Sequence, residues 1–260
     1  MIINFINSVG ENTIQFCNKF GEYGQFVANT IVVGFTRGFN VSKLLAQMER
    51  IGVDSLPICA LIGVFSGAVM TLQTYYGFTK FGSENMIGPI VALSLTRELG
   101  PVLTGLMVTG RSGSSIAAEI GTMRITEQID ALETLCVNVQ RYLMVPRVLA
   151  GIIILPFVTM FTMFFGILGG YVVYVYYFHL NAVEFVDGIK DFLELSDITG
   201  GLIKGSVFGF ILSSIGSYCG FYTRGGAKGV GLSTIQSVVL SSIVILISNY
   251  FLAMLLFEKS

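Results

Sequence analysis

Five long stretches of this chain carry almost no charge, and they constrain its fold more than any other feature. About 20 apolar residues in an α-helix cross the hydrocarbon core of a bilayer. The stretches predict five membrane spans, at about residues 55–79, 85–110, 148–183, 200–223 and 229–257. With 53% hydrophobic and 12% charged residues, the chain is too apolar for a soluble domain of 260 residues. We therefore predict an all-α integral membrane protein with a five-span domain over 55–257.

The distribution of lysine and arginine predicts how these spans are oriented. Basic residues concentrate before the first span, in the segment 111–147, and after the fourth span, whereas an acidic run follows the third span: Glu184, Asp187, Asp191, Glu194 and Asp197. Loops rich in Lys and Arg remain in the cytoplasm. The N-terminus and 111–147 are therefore predicted to be cytoplasmic, and the C-terminus external. A net charge of −1 provides no basic field for nucleic acid.

The N-terminal segment 1–54 is too interrupted by polar residues to span a membrane. Its apolar side chains recur near helical spacing, at Ile2, Ile6, Val9, Phe16 and Phe20. This pattern is typical of an amphipathic helix in the plane of the membrane interface. An ordinary amphipathic helix packed on the bundle is the alternative. Glycines four residues apart, at Gly63/Gly67 and Gly166/Gly170 among others, predict close helix packing or dimerisation.

The cytoplasmic segment 111–147 contains a short amphipathic pattern. Thr126 is predicted to cap a helix that starts at Glu127, with Ile129, Leu132 and Cys136 on one face and acidic residues on the other. Such a helix is too short to span. It is either a solvated loop helix or a lever that transmits motion from a cytoplasmic motor. The preceding run 111–115, Arg-Ser-Gly-Ser-Ser, is predicted to be a tight turn.

Arg97 and Glu98 stand inside the second predicted span, where an unpaired charge is costly. Lys204 in the fourth span is the predicted partner of Glu98. The group is either an ion pair that holds helices together or the polar rim of a lipid cavity. Candidate apolar walls of that cavity come from the first span, although each side chain could equally serve helix packing: Met70, Gln73, Tyr76 and Phe78.

Other functional classes find less support in the residues. No GxxxxGK[ST] motif occurs in the chain, so any ATP that drives it must be bound by another polypeptide. A serine nucleophile in 111–115 would need a base, but the single histidine, His179, is predicted at the opposite membrane face. An ion-coupled secondary transporter, with Arg97, Glu98 and Lys204 as its relay, is the remaining alternative.

Several separated motifs resemble one family. They are GLMVTGRSGSSIAAEIGTMRITEQIDALE, RYLMVPRVLAG and GGAKGVGLST, and together with the region from about Leu56 to Phe257 they resemble the MlaE/YrbE family of ABC transporter permeases. The family signature is Glu-Glu-x-Asp-Ala. It stands here as Glu127, Gln128, Ile129, Asp130 and Ala131, with Gln128 in place of the second acid.

The resemblance implies a homodimer with five spans per subunit, an interfacial N-terminal helix and a cytoplasmic coupling helix. It implies a separate cytoplasmic ABC ATPase, which binds ATP and Mg²⁺ while this chain binds no cofactor. It also implies an external MCE-domain lipid-binding protein and, in bacteria often, a STAS-domain protein. The family moves phospholipids or related lipids between the inner membrane and the outer envelope. The ATPase contact maps onto Glu127, Gln128, Asp130 and Ala131, and Asn249 stands where many members carry an acid.

Overall fold

Every regular element in the described part of this chain is helical. The computed structural model describes residues 2–37 and 40–257, and it contains no strand there. The α-helices are α1 Ile2–Arg37, α2 Val41–Ile51, α3 Leu56–Phe78, α4 Ile87–Ser94, α5 Gly100–Val108, α6 Ser114–Ile125, α7 Gln128–Thr134, α8 Val145–Val172, α9 Ala182–Phe192, α10 Leu195–Phe221 and α11 Gly226–Phe257. Four π turns, Leu95–Leu99, Thr109–Gly113, Gln140–Met144 and Val173–Tyr177, extend or join them.

Five continuous helical segments are long and apolar enough to cross a membrane, which confirms the predicted all-α membrane fold. They run over Val41–Phe78, Glu84–Ile125, Gln140–Tyr177, Leu195–Phe221 and Gly226–Leu256. In the most apolar stretch of each segment, 61% of the residues are buried in the fourth segment and 11% in the fifth, which are the highest and lowest values of the five. The helix α10 therefore lies at the centre of the subunit, and α11 lies at its edge.

The second span continues as a helix well beyond its predicted end. The predicted tight turn at 111–115 is wrong. Thr109–Gly113 is instead one turn of π-helix, and it joins α5 directly to α6. Ile116, Ala117 and Ile120 of α6 are buried, and a Cβ added to Gly220 of α10 would lie 2.9 Å from the Ala117 carbonyl oxygen. Small residues here serve close helix contact rather than a turn. The non-helical part of the predicted loop 111–147 is correspondingly shorter.

The third span ends earlier than the predicted boundary at 183. Its last π turn is Val173–Tyr177, and a separate short helix, α9, starts at Ala182. The Asn181 side chain caps α9 by accepting a hydrogen bond from the Val183 N–H group at 3.0 Å. Phe185 of α9 is buried in a small cluster with Ile87, Val91, Leu95 and Tyr174. We call the part of the bundle that carries α9 the acidic end.

The helix α1 packs against the opposite end of the bundle. The Tyr23 hydroxyl lies 2.8 Å from Ser214 Oγ of α10, and burial raises the pKa of Tyr23. The Phe26 ring meets the rings of Tyr218 and Phe221 at centroid distances of 5.7 and 5.9 Å. At the predicted apolar positions Ile2, Ile6, Val9 and Phe16 the structure describes the helical backbone but not the side chains, and Phe20 is exposed.

Two of the predicted glycine pairs face each other inside the subunit. A Cβ on Gly63 would lie 2.6 Å from the Thr162 carbonyl oxygen, and a Cβ on Gly67 would overlap the Gly166 carbonyl oxygen. These glycines let the backbones of α3 and α8 approach closely, as small residues do between membrane helices. Of the two predicted roles, close packing within one chain is thus the one that this pair of helices displays.

Candidate functional site

Four charged side chains and one amide join three of the spans. Lys204 Nζ of α10 lies 2.7 Å from Glu98 Oε1, which confirms the predicted pairing. Asn249 Nδ2 of α11 donates a 2.9 Å hydrogen bond to Glu98 Oε2. Arg97 Nη2 lies 2.7 Å from Asp197 Oδ1 at the start of α10. We call these five residues the polar cluster.

The backbone of the second span explains why Lys204 lies where it does. Arg97 and Glu98 belong to the π turn Leu95–Leu99, and Pro101 follows in α5. Because proline has no N–H group, it cannot donate to the carbonyl oxygen of Arg97 four residues earlier. Lys204 Nζ donates a 2.9 Å hydrogen bond to that oxygen instead. The π turn and the buried ammonium group therefore form one structural unit.

Each ion pair of the polar cluster has one buried and one accessible partner. The side chains of Lys204 and Asp197 are 0% and 1% exposed, whereas those of Glu98 and Arg97 are 41% and 33% exposed. Their four formal charges sum to zero. The cluster ties α10 to the second span, as one of the two predicted roles requires, and it presents a carboxylate and a guanidinium at the surface of the subunit. Its role as the rim of a lipid cavity stays a prediction.

The four predicted wall residues of α3 occupy different environments. Met70 and Phe78 are partly buried against the cluster around Ile87 and Tyr174, so they pack within the subunit. Gln73 and Tyr76 are exposed. The Tyr76 ring meets Phe178 edge-on at a centroid distance of 6.3 Å. Their contribution to a lipid cavity stays a prediction.

The short helix predicted near residue 127 exists, but it starts differently. The helix α7 begins at Gln128, and Glu127 precedes it in the left-handed region at φ 60°. The predicted cap is wrong, because the Thr126 hydroxyl donates to the Thr122 carbonyl oxygen at 2.8 Å and thereby belongs to the end of α6. A left-handed residue interrupts the right-handed helical path, so α6 and α7 are separate helices.

One face of α7 anchors it and the other faces solvent. Ile129 is fully buried in the main core, against which Leu132 also packs. The predicted position of Cys136 on that face is wrong, because Cys136 is exposed and lies beyond α7 at φ 58°. The family-signature residues Glu127, Gln128, Asp130 and Ala131 are all exposed. We call residues 127–134 the coupling segment.

The coupling segment also makes an ion pair that the sequence did not reveal. Arg124 Nη1 of α6 donates to Asp130 Oδ1 at 2.6 Å, and the Arg124 guanidinium lies 5.6 Å from the Phe221 ring centroid at the end of α10. The segment is therefore attached to the helix that continues the second span. These contacts connect α7 to that span and to the end of α10.

A second set of ion pairs lies at the same end, which we call the arginine-rich end. Glu119 of α6 accepts from Arg50 at 3.3 Å and from Arg147 at 3.1 Å, and Arg111 pairs with Asp54 at 3.0 Å. In the sequence these arginines indicated only topology, because their acidic partners are 28 to 69 positions away. The Ser112 hydroxyl is buried here beside Ser55, at 3.4 Å.

This chain is similar to known proteins over most of its length. A family model described as permease MlaE matches residues 44–255. A probable ABC transporter permease of Rickettsia typhi is 47% identical over 258 residues, covering 99% of this chain and all of the relative. The intermembrane phospholipid transport system permease protein MlaE of Haemophilus influenzae is 34% identical, covering 99% of each chain. The chloroplastic TRIGALACTOSYLDIACYLGLYCEROL 1 protein of Arabidopsis thaliana is 38% identical, covering 89% of this chain and 67% of its own.

Proposed function

Because this chain belongs to the MlaE permease family, we propose that it is the membrane subunit through which a separate ATPase drives phospholipid transport between membranes. Its relatives include ABC transporter permeases. The observation that carries the proposal is the coupling segment. Its signature residues are exposed, while Ile129 and the Arg124–Asp130 pair attach it to the bundle. This is the arrangement that a subunit without its own nucleotide site needs in order to receive a motor.

The proposed orientation places the arginine-rich end in the cytoplasm and the acidic end outside the inner membrane of a bacterium. The N-terminus is then cytoplasmic and the C-terminus periplasmic. The segregation of Arg50, Arg111, Arg124 and Arg147 to one end supports this orientation. The carboxylates of α9 support it from the other end.

The proposed assembly is a homodimer with two copies of an ABC ATPase, which binds ATP and Mg²⁺. An edge helix that buries little of its apolar surface within one subunit supports dimer formation, and α11 is such a helix: Ile235, Ile247 and Phe251 are 62%, 54% and 63% exposed. An MCE-domain lipid-binding protein outside and a STAS-domain protein inside complete the proposed complex. These two partners rest on the family resemblance.

The proposed lipid path passes the accessible members of the polar cluster. Arg97 offers hydrogen-bond donors to a phosphate, while Gln73 and Tyr76 on α3 would line the same cavity with Met70 and Phe78 behind them. The polar Glu98–Lys204 pair would bound the cavity on the α10 side. The family membership leaves the ion-coupled alternative without support, since ABC permeases are driven by an ATPase.

Co-purification with the ATPase tests the role of the coupling segment. Glu127 is exposed and forms the start of the family signature, so Glu127→Lys should reduce the amount of ATPase retained on the tagged permease by about tenfold, the loss expected from one reversed charge at a binding site. Glu184→Lys at the acidic end is the matched control. Equal ATPase retention by wild type and Glu127→Lys would contradict the docking role.

A further inference from the structure

A cavity of about 460 Å³ opens at the arginine-rich end, between α2 and α6. Ligand pockets in proteins commonly have volumes of this size. Its wall includes Gln47, Arg50 and Asp54 from one side, and Arg111, Ser115 and Glu119 from the other. The polar cluster and the coupling segment contribute none of these residues, so the cavity is a separate feature of the subunit.

Two of the charged groups in this wall are held in place by contacts with neighbouring residues of the chain. Arg111 Nη1 donates to the Arg50 carbonyl oxygen at 3.0 Å and to Ser55 Oγ at 2.9 Å. Glu119 Oε2 lies 3.1 Å from Arg147 Nη2, whose side chain is only 4% exposed. A guanidinium and a carboxylate are thus fixed on one wall of the cavity before any ligand enters, which lowers the cost of binding.

The other two charged groups are exposed partners that a ligand can displace. The side chains of Arg50 and Asp54 are 63% and 52% exposed, and exposed ion pairs contribute little free energy because water screens them. A ligand with a negative and a positive group can therefore exchange for them, with its anion on Arg50 and Arg111 and its cation on Asp54 and Glu119. A purely anionic ligand would leave Asp54 without its arginine and Glu119 with Arg147 alone.

The cavity also borders the apolar part of the first span. Asp54 lies two residues before α3, the apolar helix of that span, and Arg111 lies in the π turn where α5 gives way to α6. Charged residues at the end of a membrane span lie near the lipid headgroups, and Val53 and Leu61 beside this boundary are 53% and 60% exposed. A bound headgroup could thus keep its acyl chains in the bilayer.

From this geometry we propose that the cavity binds the phosphate and ammonium groups of a zwitterionic phospholipid in the leaflet at the arginine-rich end. The ligand class is phosphatidylethanolamine, whose ammonium group donates hydrogen bonds to Asp54 and Glu119. The inference rests on the proposed function for its physiological meaning, since a phospholipid permease would take its cargo from, or deliver it to, this leaflet. Binding itself requires neither ATP nor the ATPase.

Protection of a single cysteine tests the site on the full-length permease without its motor. Ser115→Cys places a thiol in the cavity wall in a Cys17→Ser background, and the native Cys136, exposed outside the cavity, serves as an internal reference. The protein is placed in nanodiscs of phosphatidylglycerol alone or mixed with phosphatidylethanolamine. A water-soluble maleimide then labels both thiols, and mass spectrometry of the peptides gives the two rates.

The proposal predicts that phosphatidylethanolamine slows labelling at position 115, relative to Cys136, by about tenfold, the scale of one or two hydrogen bonds to charged groups. Arg50→Gln combined with Asp54→Asn should abolish this protection, whereas Asp187→Asn with Lys190→Gln, an exposed pair on α9, should preserve it. Gln47→Cys provides a second reporter where the first variant folds poorly.

Equal labelling rates in the two lipid mixtures would overturn the proposal. Soluble phosphoethanolamine added to phosphatidylglycerol nanodiscs should protect position 115 less well than the lipid does. Equal protection would contradict the assignment of the ligand to a membrane lipid. Failure of ATP-driven transport with intact protection would count against the proposed function alone, so the two ideas fail separately.

Discussion

Lys204 of α10 donates a 2.9 Å hydrogen bond to the carbonyl oxygen of Arg97 in the second span. The ammonium group satisfies an acceptor that Pro101 leaves open, and it also pairs with Glu98. A single buried cation thus stabilises both the π turn of the second span and the contact of that span with α10. The contacts of the polar cluster therefore hold the second span and α10 together within the subunit.

Replacement of the buried cation should be costly. Lys204→Met leaves the Arg97 carbonyl oxygen and one Glu98 oxygen without this donor, and we expect a loss of about 2 kcal/mol in the free energy of unfolding. This is less than for a fully buried pair, because Glu98 is partly exposed and keeps Asn249. Thermal unfolding in mild detergent measures the change. Lys190→Met, which breaks an exposed pair, is the control, and equal midpoints for the two variants would refute this assignment.

The close contact between α3 and α8 predicts opposite effects for two glycine substitutions on α3. A Cβ on Gly67 overlaps the Gly166 carbonyl oxygen, whereas a Cβ on Gly77 of the same helix meets nothing within 4 Å. Gly67→Ala should therefore destabilise the subunit by about 1–3 kcal/mol. Gly77→Ala should be neutral or slightly stabilising, by up to about 1 kcal/mol. Fluorescence-detected size exclusion after heating compares them, and a Gly67→Ala variant as stable as wild type would disprove the contact.

Docking of α1 depends on one aromatic side chain. Phe26 is 3% exposed and packs among the rings of Tyr218, Phe221 and Tyr222. Phe26→Ala should weaken the attachment of α1 by about 3 kcal/mol, the lower end for loss of a buried phenylalanine. Limited proteolysis in detergent should then cleave α1 faster than in the Ile14→Ala control, whose original side chain is 62% exposed. Identical cleavage rates would exclude this packing role.

Variants of the Arg124–Asp130 pair can distinguish a structural role of Asp130 from a role in docking the ATPase. Asp130→Arg alone breaks the 2.6 Å ion pair and places two arginines side by side. The double variant Arg124→Asp with Asp130→Arg restores the pair with reversed polarity. We expect the double variant to recover the stability of wild type but not its binding of the ATPase. Recovery of both properties would show that Asp130 acts only within the subunit.

The spans and one ion pair could be predicted because their causes are local or few in number. Apolar length is a property of each segment, and charges inside a span need partners, so Glu98 and Lys204 were natural candidates. The Arg97–Asp197 pair was missed because Asp197 belongs to an acidic run that pattern alone assigns to a loop. In the structure it occupies the first turn of α10, forms a capping box with Glu194, and is 1% exposed.

The errors in the segment 111–147 have a different origin. Glycine and serine favour turns in water, but between membrane helices the same small residues permit close contact, so the chain around Gly113 stays helical. The cap at Thr126 failed because its hydroxyl donates backward to the Thr122 carbonyl oxygen, and the left-handed residue Glu127 follows. Tertiary packing decides the first feature. The second is a local choice between two hydrogen bonds of one hydroxyl, which the sequence pattern does not distinguish.

Phospholipid transfer by the reconstituted complex tests the central claim most directly. Proteoliposomes that contain the permease and its ATPase should transfer a labelled phospholipid to an acceptor when ATP is added. The permease alone should not, and neither should a complex whose permease carries Glu127→Lys with Asp130→Lys. Transfer at the full rate by the permease without any ATPase, or by the double variant, would contradict the account.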